Sequence, residues 1–185
     1  YANGLDASRV MPCDYTPPIK SIGHGITCTA DLVSESEVRG VFLELSQDIG
    51  LKLRKQGLAA NGVRITVRDN TLSHRQYQCK LPFPTQSYLE IYDAGIDLFH
   101  RRYSWSNNIR SLTISAIDLI SADTPVQLDL WTDMSKHKRR IRLEETIEDI
   151  RRRFGLHAIN FAAAGSMKIP VQSDIEYKMP SVMYQ

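Results

Sequence analysis

The sequence predicts an α+β fold: a four-stranded mixed sheet with two helices on one face, in split βαβ (βαββαβ) order. A C-terminal helix and a short apolar extension follow. Three observations carry that prediction. Short runs alternate apolar and polar residues, as half-buried strands do. Two longer runs place apolar residues at helical spacing behind capping residues. The order of these runs from Lys20 is strand, helix, strand, strand, helix, strand, which is the split βαβ pattern.

Each element has its own justification. "SIGHGITCT", Ser21 to Thr29, alternates weakly and reads as a strand loosened by Gly23 and Gly25. Ser34 and Glu37 form a capping box, and Val38, Val41, Phe42, Leu45, Ile49 and Leu53 make the stripe of a helix that stops at Gly57. "GVRITVRD" alternates cleanly, with Val63, Ile65 and Val67 on one face and Arg64, Thr66 and Arg68 on the other. "SHRQYQCKL" is a third strand with Tyr77, Cys79 and Leu81 on one side. Ser87 and Glu90 suggest another capping box, ahead of a stripe of Tyr88, Ile91, Tyr92, Ile96, Phe99 and Tyr103. "IRSLTISAIDLI" returns to strand, with Leu112, Ile114 and Ala116 inward and Ser111, Thr113 and Ser115 outward. Each strand then has one polar face and each helix one apolar stripe. Economical packing puts both helices on one side and leaves the other side of the sheet wet.

Beyond this unit, Leu143, Ile147, Ile150 and Phe154 mark a third helix ending at Gly155. "HAINFAAAG" is a candidate further strand. The divisions read from the chain are 1–19 as a tether, 20–122 as the main domain, 123–135 as a linker, 136–164 as helix plus short strand, and 165–185 as an irregular tail.

Composition excludes several classes. With 42% hydrophobic and 24% charged residues the chain is an ordinary globular sequence. No apolar run approaches the roughly 20 residues a membrane helix needs. The first residues, "YANGLDASRV", carry no signal pattern and no initiator Met, and a piece of a longer protein is expected. Cys13, Cys28 and Cys79 are far apart, without metal-ligand or disulfide spacing, so free thiols in a reducing compartment are expected. A net charge of +2 means that affinity for a polyanion must come from where the cations sit. No nucleophile elbow, P-loop or HExxH motif is present, and no catalytic or metal-ligating set is assigned.

The wet sheet face is the main candidate site. It gathers Arg64, Thr66 and Arg68, then His74, Gln76, Gln78 and Lys80, then Ser111, Thr113 and Ser115, with Arg110 beside them. Cations, amides and hydroxyls suit phosphate oxygens, which take most protein–nucleic acid hydrogen bonds. A merely solvated face has much the same composition, because sheet propensity favours Thr and Arg there. In "KSIGHG", Gly23 and Gly25 allow close backbone approach, and Lys20 and His24 add charge. The basic run Lys136 to Arg142 and Arg151 to Arg153 is interleaved with Glu144, Glu145, Glu148 and Asp149, which reads first as a solvated amphipathic helix rich in ion pairs. "TPVQLDLW" is by pattern alone one more amphipathic strand.

Taken together, "KSIGHGITCTADL", the long helix, "VRITVRDNTLSHRQYQCKLPFPT" and "IRSLTISAIDL" resemble the little finger, the C-terminal domain of bacterial Y-family translesion DNA polymerases of the ImpB/MucB/SamB type, over about residues 17–122. "GLD" followed by Val10 resembles the end of that family's thumb, and the proline-rich stretch its tether. The resemblance implies sequence-independent binding of primer–template duplex. Lys20, Ser21, Gly23 and His24, Arg64 and Arg68, and Arg110 and Ser111 stand at the matching positions, with Thr66, Gln76, Gln78, Lys80 and Thr113 on the same face. Ser111 stands where some relatives carry a second cation, so that contact is weaker. The palm and its metal-binding carboxylates have no counterpart here. The fragment is therefore expected to lack catalysis and cofactors, and Mg2+ and nucleotidyl transfer belong to the parent polymerase.

After the domain, "QLDLW" is similar to the "QLSLF"-type peptide with which the polymerase V-like branch binds the bacterial sliding clamp. Leu128, Leu130 and Trp131 would fill an apolar pocket, with Gln127 hydrogen-bonding at its rim, and Asp129 completes the clamp-binding set. The partners implied are DNA, the clamp and the other polymerase domains, in the cytoplasm, during the DNA-damage (SOS) response. Two rival readings are a clamp-docking module with an inert sheet face and an RNA-binding module of ferredoxin-like topology. Against the second, the strands lack stacking aromatics.

Overall fold

The structure is a computed structural model and describes residues 3–5, 10–15, 17–125, 134–155, 158–161 and 168. The elements are β1 (Ser21–Leu32), α1 (Glu35–Gln56), β2 (Leu58–Asp69), β3 (His74–Thr85), α2 (Tyr88–Arg102), β4 (Ile109–Ser121) and α3 (Met134–Phe154). The α+β class and the element order are as the sequence predicts.

The helix starts and stops follow from local chemistry. Ser34 accepts from Glu37 N while the Glu37 carboxylate takes Ser34 N, so the capping box is complete. Gly57 ends α1 at φ 62°, a left-handed position that favours glycine. Ser87 caps α2 by accepting from Glu90 N, but the Glu90 side chain turns instead to Thr85 and His137. Val38, Val41, Phe42, Leu45, Ile49 and Leu53 of α1 are all buried, and they meet Ile91, Ile96 and Phe99 of α2 and the inner residues of the sheet in one core.

The sheet order is β1-β4-β2-β3, and every neighbouring pair is antiparallel. This corrects the expectation of a mixed sheet. Each βαβ crossover skips one strand, so β1 and β2 run parallel but β4 lies between them. The same holds for β3 and β4 about β2. The split that makes the crossovers possible thus removes every parallel neighbour pair.

Among the described residues, two non-glycine residues adopt left-handed backbone. Asp118, at φ 52°, is of a type that tolerates this region. Leu72, at φ 70° in the β2–β3 turn, is not, and its side chain is exposed. Left-handed backbone costs an ordinary residue roughly 1–2 kcal/mol. Leu72→Asn should therefore raise stability by about 0.5–1 kcal/mol, seen as a higher melting temperature.

α3 departs from the sequence reading in how it docks. Of its predicted stripe, Leu143 is 52% and Phe154 75% exposed. The fully buried residue of this helix is Glu144. Its carboxylate lies at the N-terminus of α2, where Ser87 Oγ (2.5 Å), Tyr88 N (3.1 Å) and Leu89 N (3.2 Å) donate to it, and Arg54 Nη1 of α1 adds a fourth bond at 3.0 Å. Helix N-termini attract anions because their first amides have no partner within the helix. Burial pushes the Glu144 carboxyl above the ordinary carboxylate range, with the four donors acting the other way. Arg54 Nε also donates to Glu148 (2.9 Å), His137 Nδ1 meets Glu90 (2.9 Å), and Arg140 donates to Asp93 (2.7 Å). The helix that reads as ion-paired within itself keeps Asp149 with Arg152 and Arg153, but sends His137, Arg140, Glu144 and Glu148 across to α1 and α2. Among the described residues after Gly155, Ala158–Phe161 form no strand. Ala158 N bonds Gly155 O and Arg151 holds Ile159 O, which makes a turn tied to the helix end.

Candidate nucleic-acid interface

The cross-strand register arranges the outer sheet face in four rows. They read Ser21–Ile117–Gly62–Lys80, Gly23–Ser115–Arg64–Gln78, Gly25–Thr113–Thr66–Gln76, and Thr27–Ser111–Arg68–His74. The predicted residues Ser21, Gly23, Arg64, Thr66, Arg68, Gln76, Gln78, Lys80, Ser111 and Thr113 therefore share one face. No row contains a carboxylate. Gln78 Oε1 accepts from Arg64 Nη2 (3.4 Å), while Arg64 Nε is buried with no protein partner. Among the described residues, Lys20, Arg64, Arg68 and Lys80 face no carboxylate at ion-pair distance, whereas Arg140 of α3 pairs with Asp93 of α2.

The two glycines of β1 have a steric role here. A Cβ at Gly23 would collide with the Ser115 hydroxyl, and one at Gly25 with that of Thr113. Their absence lets the β4 hydroxyls lean over β1, and that half of the face is a shallow polar floor. Ser111 Oγ donates to Ile26 O (2.9 Å) in the same way.

His24 stands apart from this set. It pairs with Ile114 in the register and so lies on the inner, helix-facing side, where Nδ1 is 2.9 Å from Asp48 Oδ2 of α1. Burial pushes the Asp48 carboxyl up, but His24 and Lys52 overcome this and leave it below the usual range. Gly23 and Gly25 blur the alternation that would have assigned His24 to the side of Ile22 and Ile26. Arg110 sits at the rim, where β4 carries an extra residue between Ile109 and Ser111 and β1 loses its regular register. Thr27 belongs to the outer face as well, and plain alternation from Ser21 is the signal that finds it. Gln127, Leu128, Asp129, Leu130 and Trp131 lie outside the described residues. Among the described residues no His, Cys, Asp and Glu side chains gather into a metal site, and no helix is long and apolar enough to cross a membrane.

An antiparallel split βαβ sheet with both helices on one side and an acid-free polar face on the other defines the structural class. Residues 19–130 match the impB/mucB/samB family C-terminal domain, and the chain belongs to that family, the little finger of the Y-family polymerases. It is 33% identical over 86% of its length to DNA polymerase IV of Acetivibrio thermocellus. It is 30% identical over 85% to DNA polymerase IV of Pelotomaculum thermopropionicum, and 30% identical over 88% to DNA polymerase IV 2 of Bacillus subtilis. The alignments span 40%, 38% and 39% of those relatives, so the chain corresponds to about two fifths of their length.

Proposed function

We propose that this domain grips duplex DNA through its outer sheet face, without reading base sequence, as part of a translesion DNA polymerase. The observation that supports this most is the four-row face with cations, amides and hydroxyls in register and no carboxylate among them. Lys20, Arg64, Arg68, Lys80 and Arg110 take phosphate oxygens. Ser21, Thr66, Gln76, Gln78, Ser111 and Thr113 add neutral hydrogen bonds, and the glycine-floored half admits a backbone closely. His24 acts indirectly, by tying β1 to α1. The domain supplies position and holding power. Metal-dependent nucleotidyl transfer, with Mg2+, belongs to the polymerase's catalytic region. With five phosphate-facing cations, the logarithm of the affinity for a primer–template should fall by about 4.5 per tenfold rise in salt.

Gln127 to Trp131, ahead of α3 in the stretch read from sequence as the linker 123–135, serve as a clamp-binding peptide. The support for this is the sequence itself, two aliphatic residues and a Trp in one short run. Replacing Leu128, Leu130 and Trp131 together with Ala should abolish capture by a bacterial sliding clamp and leave DNA affinity unchanged. Retained clamp capture would show the peptide assignment to be wrong.

A further inference from the structure

One cation of the proposed interface is already occupied. Between Thr27 and Leu32, β1 takes a longer path than β4 takes from Ser111 to Ile109, so the strand bulges at Cys28–Asp31. A residue far along the chain fastens this bulge. Lys168 O accepts from Thr29 N (3.1 Å), while Lys168 Nζ donates to Asp31 O (2.9 Å) and pairs with the Glu37 carboxylate (2.8 Å). Held there, Asp31 turns its carboxylate to Arg110, with Nη1 and Oδ1 3.4 Å apart. Both side chains reach solvent, 50% for Arg110 and 28% for Asp31.

We propose that Asp31 is an internal competitor for the phosphate that Arg110 is placed to bind, and so attenuates the domain's grip on DNA. The inference rests on the reading of the outer face as a phosphate-binding surface. A carboxylate and a phosphate oxygen ask the same donors of a guanidinium. The pair is long and half-exposed, which makes it weak, so a phosphate displaces it. The displaced carboxylate stays on the bulge that Lys168 holds, close enough to repel the incoming anion. Among the described residues Lys20, Arg64, Arg68 and Lys80 have no such rival at ion-pair distance, which singles out Arg110 as the contact with built-in competition.

The test is a primer–template titration by fluorescence anisotropy at several salt concentrations. It compares the unaltered chain, Asp31→Asn, Arg110→Ala and the double variant, each checked by thermal melting. Asp31→Asn should raise affinity at low salt roughly three- to fivefold, the range of an exposed ion pair. It should also steepen the salt dependence by up to about 0.9 in slope. Arg110→Ala should weaken binding, and Asp31→Asn should then add little. An equal gain in both backgrounds, or no gain while Arg110→Ala still weakens binding, overturns the role of Asp31 and leaves the DNA reading standing. Loss of all salt dependence in the unaltered chain overturns the reading of the face itself. Should the Asn variant melt early, Asp31→Ser decides by the same comparison.

Discussion

Glu144→Ala should release α3 from the domain while the sheet and the two helices beneath it stay folded. The substitution strips one acceptor from four donors at once: Ser87 Oγ, Tyr88 N, Leu89 N and Arg54 Nη1. Arg54, whose side chain is largely buried, keeps Glu148 and the Gln86 carbonyl but loses one of its two carboxylate partners. Removing one partner of a buried pair typically costs about 3–5 kcal/mol, because the other charge and its donors remain desolvated. Little apolar packing offsets that loss, since Leu143 and Phe154 are exposed even when the helix is docked. The core does not depend on α3: every residue of its buried cluster comes from β1, β2, β4, α1 and α2, with Tyr77, Cys79 and Leu81 of β3 half-buried against it. A local release is therefore the expected outcome, with a docking equilibrium shifted more than a hundredfold. Hydrogen exchange checks it. Amides of α3 and of Ser87–Leu89 should lose protection while β2 and β4 keep theirs. Unchanged protection in α3 would mean that the carboxylate is not what docks it.

Arg64→Ala together with Arg68→Ala should lower primer–template affinity at least a hundredfold at low salt. A hydrogen bond to a charged group contributes about 1.5–3 kcal/mol, and each 1.4 kcal/mol is tenfold. The two residues lie two rows apart on β2, roughly 13 Å at strand rise, so their losses should add. The salt slope should become shallower by about 1.8, since two fewer counterions are released. Arg153→Ala is the matched control. Its guanidinium pairs with Asp149 within α3, on the helix side of the molecule, and the substitution should leave affinity unchanged. Stability should hold in all variants, because Arg64 and Arg68 project from the sheet face opposite the core and Arg153 is an exposed residue of α3.

Much of this architecture could be read from local chemistry. The alternation in "VRITVRD" places Arg64, Thr66 and Arg68 together because a strand has period two, and the register then aligns them with Gln78, Gln76 and His74. Ser34, Glu37 and Gly57 bound α1 through hydrogen bonds made within a few residues. What escaped reading depends on distant partners. A run such as "IRLEETIEDI" cannot reveal that Glu144 is buried, because Ser87 and Arg54 supply the reason and lie far away in sequence. Leu143, Ile147, Ile150 and Phe154 mark the right helix, but Leu143 and Phe154 of that stripe stay exposed while Glu144 is buried. The antiparallel sheet was hidden for a related reason: no strand's own pattern says which other strand will insert beside it. His24 and Arg110 sit where glycines or an extra residue break the period, and there the side chain's direction is set by tertiary contacts with Asp48 and Asp31.

The central claim, that DNA lies on the acid-free sheet face, is tested most directly by an NMR footprint of the bound duplex. Amide shifts should be recorded while a short primer–template is titrated into the labelled chain at low salt. The account predicts that perturbations concentrate at Ser21–Thr27, Arg64–Arg68, Gln76–Lys80 and Arg110–Ser115, and fade together as salt rises. Perturbations confined to the basic stretches of α3, with β2 and β4 unmoved, would contradict it.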